Sequence, residues 1–471
     1  MPLDIDLIMN QARQAADRFK TLDQAATDRI VRAVYRVGFD HRVELAEMAA
    51  AETHLGRWQD KVIKNVIATR MVYEDIKDLK TVGVVGEDTE RGIVEIAQPI
   101  GPIFAVTPIT NPTSTALFKI LIAMKSRNPL IIRPHGAARK CTIEAARLCY
   151  EAALEAGAPE HCIQWAKRSS QEETLQMMAH RRTALVLATG SVDLVGAAHR
   201  SGTPTIGVGP GNVPVYIGKS ADVPFAVEQI HRSKLFDYGT ICASEQAMVV
   251  RACHAAEVRR EFATRGAYFV TGDEIERLSQ VAYNSEQRIM RIEVIGQPAT
   301  VIAEMADIDV PPETNLLIAE LDDVGIDTPL SHEILAPILA SYTARDMDHA
   351  VEICRRINHH GGLGHTVSIF SRNEVMIERF AEVMNAGRIL VNTPASQGAL
   401  GATYNGLQPS LTLGCGSGGK NITTDNISAR HLLNIQRVAR RKVHDCIRVD
   451  LDLILDAGHT ARDEEDRCSG S

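Results

Sequence analysis

The chain has 471 residues, 45% of them hydrophobic and 23% charged, with a formal net charge of −8. At roughly 150 residues per domain this length points to two or three domains with room for a buried core. That balance excludes a disordered chain, the acidic charge argues against nucleic acid as the main partner, and 4% aromatics leave little for base stacking.

The N-terminus carries Asp4 and Asp6 where a secretory leader needs cations, so residues 1–75 read as amphipathic helices from the start. The β-rich runs Thr81–Val85 and Gly92–Ala97 flank GEDTER and predict a hairpin, a natural oligomerisation arm or a small edge ribbon. From Gly101 strands and helices alternate. GPIFAVTP is an apolar strand, 112–126 has helical spacing, and NPLIIRP is a second strand. Ala138–Ala156 is a helix stopped by Gly157 and Pro159. Cys162–Trp165 and Ala184–Ala188 follow as strands around a helix over Glu172–His180. The apolar run Ala116–Met124 is interrupted by Lys119 and is too short to span a membrane. Continuously apolar strands joined by helices predict an α/β fold with an open, doubly wound parallel sheet. Ligands of such sheets lie beyond the carboxyl ends of the strands.

A second alternating set follows residue 242, with strands over Gln246–Arg251, Leu316–Glu320, Ala336–Tyr342, His365–Phe370 and Arg388–Asn392. Thr393–Asp425 is a long polar loop, and a helix is expected to resume near Ala429. The expected division is a cofactor-binding domain over 1–235, with a hairpin arm at 81–97 and later completion by 425–445. A catalytic domain follows over 236–424, then a C-terminal tail over 446–471. The nine cysteines have no C-x-x-C spacing, so neither a disulfide framework nor a metal site is expected and the cytoplasm fits.

Gly414–Lys420 mimics both a dinucleotide fingerprint and a P-loop. Both require a helix to follow, and NITTDN is turn and strand chemistry, so a structural glycine turn is expected there. Four stretches remain. Cys242, in FDYGTICASEQ, sits among small residues. On a loop entering a helix its thiol pKa would fall, and it is either a nucleophile or a buried inert cysteine. Asn111, after the strand ending at Val106, is either an oxyanion donor or a helix N-cap. Gly190 and Ser191 form a turn before a helix. Gly207, Gly209 and Gly211 crowd one short stretch, where backbone must pass close to something.

TPITNP, GVGPGN, GTICASEQ, GLGHTVSIF, VNTPASQG, SLTLGCGSGG and NISARHLLNI occur in this order, and together they resemble the aldehyde dehydrogenase superfamily from about residue 5 to 440. Within it they resemble the CoA-acylating enzymes, including the aldehyde-oxidising half of bifunctional aldehyde–alcohol dehydrogenases. The resemblance implies an aldehyde dehydrogenase-like fold, with a Rossmann-type cofactor domain, an α/β catalytic domain and an oligomerisation hairpin. It makes Cys242 the nucleophile and Asn111 the oxyanion donor. His365, in GLGH, becomes a base for CoA or a structural histidine. Thr107, Pro108, Gly190, Ser191 and Gly209 fall to the cofactor, and Glu333 in HEILAP to the nicotinamide ribose, although Leu335 and Ala336 depart from the family pattern there. Hydrolytic relatives carry E-L-G-G-K where this chain has Gly207 to Gly211. The missing glutamate implies acyl transfer to CoA; the alternatives are hydrolysis to a free acid and a catalytically silent nucleotide-binding or assembly protein.

After the strand ending at Arg133, Gly136 replaces a ribose-binding glutamate of many relatives. Arg133, His135, Arg139 and Lys140 add positive charge, so NADP is expected ahead of NAD, unless Arg139 and Lys140 are merely solvated. Hydroxyls on Thr113, Ser114, Thr115, Thr393 and Ser396 would suit a short polar or anionic aldehyde, such as sulfoacetaldehyde or succinate semialdehyde, or acetaldehyde. The expected partners are the aldehyde and CoA, with no nucleic acid and no membrane, in a homodimer or homotetramer.

Overall fold

A computed structural model describes residues 3–167 and 169–441 together with Leu455, Gly458, Thr460 and Ala461. Apart from those last four, the tail expected over 446–471 lies outside the described residues. The chain folds into two compact units, Met1–Leu79 with Pro99–Leu433 and Lys80–Gln98 with Asn434–Ser471.

The first residues are helical as read, over Ile5–Phe19, Gln24–Asp40, Arg42–Thr53 and Trp58–Val66. Asp4 caps the first helix by accepting from Leu7 N, and Asp23 caps the second through Ala26 N. The expected hairpin forms from β1 (Gly83–Asp88) and β2 (Ile93–Pro99), paired antiparallel.

The next five strands build one parallel sheet: β3 (Ile103–Val106), β4 (Leu130–Arg133), β5 (Ile163–Trp165), β6 (Leu185–Thr189) and β7 (Thr205–Val208). Their order, β5-β4-β3-β6-β7, puts the first strand in the middle. The winding therefore reverses between β3 and β6, which opens a crevice at their carboxyl ends. The helix Pro112–Lys125 leaves β3 with every residue buried. Apolar residues on all sides make it a core helix rather than a surface one. Its Lys119 survives burial by donating to Val106 O (2.7 Å) and Leu187 O (2.9 Å), which ties β3 to β6.

The second sheet is also parallel and has seven strands. They are β8 (Val213–Ile217), β9 (Glu245–Arg251), β10 (Ala267–Val270), β13 (Leu316–Glu320), β14 (Ile338–Ala344), β15 (Gly364–Phe370) and β16 (Ala386–Val391); β11 (Tyr283–Asn284) and β12 (Ile289–Met290) form a separate ribbon. The order is β10-β13-β14-β9-β8-β15-β16, and the chain enters this sheet at Val213, ahead of the boundary expected at 235. Pro214 argues against a central strand, since proline cannot donate to the ladder. The register shifts between Val213 and Pro214, and that irregularity lets β8 sit between β9 and β15.

The helix expected near Ala429 is a single 3₁₀ turn, Ala429–Leu432, followed by β17 (Leu433–Ala439), which joins the hairpin in the order β1-β2-β17. The apolar–polar alternation of LNIQ at its start is a strand pattern that the helix reading overlooked. No helix of the described residues is long and apolar enough to cross a membrane.

Candidate active site

Cys242 lies between a tight turn, Phe236–Gly239, and β9. The turn holds Asp237, Tyr238 and Gly239 in succession at positive φ (51°, 51° and 76°). That is costly for the first two residues and must be held by its surroundings. Gly239 is needed because a Cβ there would lie 2.8 Å from Ala336 O. Asp237 is fully buried and accepts from Lys61 Nζ at 2.9 Å, from Lys64 Nζ, from Thr240 Oγ1 at 2.8 Å and from Arg57 N at 2.7 Å. Burial alone would raise its carboxyl pKa, but the Lys64 and Lys61 ammonium groups hold it below the usual range.

The Cys242 side chain is half-buried. Burial pushes its thiol up to about 12, Glu333 acts in the same direction and Arg388 opposes. This corrects one expectation. The chain runs from Cys242 into a strand rather than a helix, so no helix start lowers the thiol pKa at that position.

Asn111 is the N-cap residue of the helix Pro112–Lys125, yet its side chain makes no cap bond. Its Nδ2 donates to Thr110 Oγ1 (3.0 Å) and to Thr240 O (3.3 Å), while its Oδ1 accepts from Lys64 Nζ (2.6 Å). The amide is therefore turned toward the loop that carries Cys242.

Gly211, His365 and Glu333 meet on the other side of Cys242. A Cβ on Gly211 would fall 2.2 Å from Cys242 O and 3.1 Å from the His365 ring. Glu333 Oε1 accepts from Gly211 N at 2.8 Å, and burial lifts its carboxyl to about 7. His365 is buried, with Nδ1 3.0 Å from Thr366 Oγ1 and Nε2 without a hydrogen-bond partner. Burial and the nearby Arg388 press its imidazole down to about 3, so it is neutral across the physiological range. Arg388 donates to His365 O (2.6 Å), Gly414 O (2.7 Å) and Thr424 O (3.2 Å), fastening β15 to the glycine-rich loop. That loop contains only the short 3₁₀ turn Ser417–Gly419. Asn421 accepts from Gly207 N (3.1 Å) and donates to Gly207 O (2.5 Å), so the near P-loop is a structural clamp.

The cofactor candidates lie along the carboxyl edge of the five-stranded sheet. Thr107 and Pro108 follow β3, and the Thr107 hydroxyl is buried without a hydrogen-bond partner. Arg133 ends β4, where its Nε donates to Ser169 Oγ at 3.3 Å. His135 Nδ1 accepts from Ala137 N. Gly190 follows β6, and Ser191 caps the helix Val192–Arg200. Space is open around the Cβ directions of Gly136 and Gly209. An orphaned hydroxyl and a helix start at the winding reversal, with open glycine backbone after the neighbouring strands β4 and β7, suit a dinucleotide.

Two expectations about side chains change. A Cβ on Gly207 would point at Val195 and His199 (2.7 and 2.9 Å), so a glutamate there would face the helix rather than Cys242. The expected pocket hydroxyls are partly spent within the protein: Thr113 on Asn65 Oδ1, Thr393 on Val391 O, and Ser396 with Ser233. Sequence reading missed Lys61, Lys64, Asp237 and Arg388. On the helix Trp58–Val66 the usual polarity is inverted, with Lys61 and Lys64 buried while Ile63 is 42% exposed, so hydrophobic periodicity points to the wrong face.

Residues 2–427 match the model of the aldehyde dehydrogenase family. The chain belongs to that family. The aldehyde dehydrogenase-like α/β fold is shared with solved members. The chain is 42% identical over 442 residues to the bifunctional aldehyde-alcohol dehydrogenase AdhE of Escherichia coli, covering 93% of this chain and 49% of that one. It thus spans about half the length of the first curated relatives it matches. Against a succinate-semialdehyde dehydrogenase (acetylating) of Clostridium kluyveri it is 33% identical, covering 93% and 95%. The crystal structure of an acetylating aldehyde dehydrogenase from Geobacillus thermoglucosidasius superposes with a TM-score of 0.91 at 43% identity, covering 94% and 97%.

Proposed function

We propose that this chain is a CoA-acylating aldehyde dehydrogenase that interconverts a short aldehyde and its acyl-CoA through a thioester on Cys242. The observation that carries the reading is the Asn111 amide. It forgoes the helix cap and lies 3.3 Å from Thr240 O, two residues before Cys242. The Cys242 sulfur, once deprotonated, adds to the aldehyde carbon, and the carbonyl oxygen takes up the negative charge. Asn111 Nδ2 and the Cys242 backbone N–H stabilise that oxyanion. A nicotinamide dinucleotide, when bound along the carboxyl edge of the five-stranded sheet, supplies the hydride acceptor for collapse to the thioester. Thr107, Arg133, Gly190 and Ser191 would hold it there, with Glu333 at its ribose. The CoA sulfur then displaces Cys242 and carries the acyl group away.

A thiol acceptor suits a site whose Gly207 to Gly211 stretch lacks the glutamate of hydrolytic relatives, because a thiolate needs less help than water. Hydrolysis draws on one observation of its own: Glu333 is a buried carboxylate with a raised pKa beside Gly211. Residues 1–212 with the five-stranded sheet form the cofactor-binding part, and the seven-stranded sheet carries the nucleophile. The hairpin of β1 and β2 is the arm of a homodimer or homotetramer. Free thiols at every described cysteine fit a reducing cytoplasm. NADP is favoured over NAD by Arg133, His135 and the open space at Gly136.

The test is NAD(P)H formation over acetaldehyde, succinate semialdehyde and sulfoacetaldehyde, with each cofactor, with and without CoA. Turnover that requires CoA supports acyl transfer and identifies the aldehyde. Turnover to a free acid without CoA sinks it in favour of hydrolysis.

A further inference from the structure

Lys64 is an ammonium group with almost no access to solvent, at 1% exposure, and the reaction outlined above leaves it without a task. Its three protons face four oxygens: Asp237 Oδ2, Asn111 Oδ1 at 2.6 Å, Thr240 Oγ1 at 3.1 Å and Thr240 O at 3.3 Å. An ammonium group can only donate, so the Asn111 atom it touches is the amide oxygen. This fixes the orientation of the amide, and Nδ2 is left facing Thr240 O and the Cys242 loop. Thr240 O, which can only accept, selects the same orientation from the nitrogen end, and Lys64 holds it from the oxygen end.

We propose that Lys64 is a positioning residue for the oxyanion donor: it clamps the Asn111 amide oxygen and so aims and polarises the Nδ2–H that receives the charge on the aldehyde oxygen. A charge-assisted bond at the amide oxygen draws electron density from the amide nitrogen, which makes its N–H a stronger donor. The same ammonium reaches both Asp237 and Thr240, so the donor and the loop that carries the nucleophile share one anchor. Lys61 reaches Asp237 (2.9 Å) and Thr110 O (3.2 Å) and leaves Asn111 alone. Asp237 therefore keeps a cationic partner when Lys64 is replaced, and the loop keeps its support.

This inference rests on the assignment of Cys242 and Asn111 to aldehyde oxidation. The experiment compares kcat and KM for the aldehyde in wild type, Lys64→Met, Asn111→Ala and the double variant, with melting temperatures recorded alongside. Lys64→Met should lower kcat by about ten-fold with little change in KM, because the bond acts on the charged transition state. On the Asn111→Ala background the further loss should be under about two-fold, since the group Lys64 acts through is already gone. Lys64→Gln, which keeps a donor without the charge, should fall between wild type and Met, and it replaces Met in the cycle if Met does not fold. A wild-type kcat in Lys64→Met, or a loss that multiplies in full on Asn111→Ala, would overturn the proposal. Wild-type turnover without CoA would instead overturn the acyl-transfer reading and leave this comparison standing, because the oxyanion forms before either acyl acceptor attacks.

Discussion

A Cβ built on Gly211 would sit 2.2 Å from the carbonyl oxygen of Cys242. That oxygen is backbone and cannot swing aside, and the His365 ring blocks the other side at 3.1 Å. Gly211→Ala should therefore displace the Cys242 loop or the backbone at 211, lowering kcat by about 10²-fold or more. Gly209, two residues earlier, has open space in its Cβ direction. Gly209→Ala should leave the melting temperature unchanged and raise KM for the dinucleotide if the cofactor passes close to that backbone. Melting curves and steady-state kinetics on the pair distinguish the two glycines. Equal tolerance at both would contradict the packing argument for Gly211.

The first parallel sheet was legible in the sequence because its strands read as continuous apolar runs, and five of the seven strands of the second were read as strands, without β10 and β8. β8 was not, because Pro214 breaks the expected hydrogen-bond ladder and only a register shift accommodates it. At the site, Cys242 and Asn111 were legible as alternatives, and the geometry decides only that the Asn111 side chain makes no helix-cap bond. The lysine pair beneath them was hidden by a helix that buries Lys61 and Lys64 while exposing Ile63. Sequence periodicity assumes charged residues face water, and here Asp237, 173 residues away in the chain from Lys64, makes the exception possible.

With the thiol of Cys242 pushed up to about 12 by burial, alkylation should be slow at neutral pH and should accelerate steadily as pH rises toward 10. Cys242→Ser should abolish turnover, because a serine hydroxyl is a far weaker nucleophile than a thiolate. Asn111→Ala should lower kcat by about 10²–10³. Its melting temperature should fall, because the buried Lys64 ammonium loses an acceptor even though no cap bond is lost. A fast iodoacetamide reaction at pH 7 in the free enzyme would place the thiol in a different environment from the one described.

Glu333 should impose a pH dependence on cofactor binding. Its carboxyl is raised from 4.5 to about 7, chiefly by burial. Below about pH 7 it is protonated and cannot accept from both hydroxyls of a ribose, so KM for the dinucleotide should climb as pH falls through 7. Glu333→Gln should flatten that profile. The same shift predicts a stability effect of defined sign. Between about pH 4.5 and 7 the unfolded chain has released this proton while the folded chain retains it, so folding loses stability as pH rises through that window. Glu333→Gln should therefore raise the melting temperature at pH 8 relative to wild type and leave it alone at pH 4. Parallel melts at the two pH values give the answer.

Cofactor choice turns on opposing charges at the end of β4. In the proposed NADP preference, Arg133 and the open space at Gly136 would receive a ribose 2′-phosphate. Opposing them, the Glu52 carboxylate accepts from Lys140 N (2.8 Å) and Cys141 N (2.7 Å), placing a negative charge at the start of the helix Arg139–Glu155. Arg133→Ala should weaken NADP by about ten-fold or more relative to NAD, the cost of one charge-assisted contact. Glu52→Gln should shift the preference the other way by removing the like charge, with a smaller effect, and its single amide oxygen keeps one of the two bonds to the helix start. The ratio of kcat/KM for the two cofactors measures both. Equal losses for NADP and NAD in Arg133→Ala would detach Arg133 from the 2′-phosphate. An unchanged ratio in Glu52→Gln would mean that the carboxylate serves the helix alone.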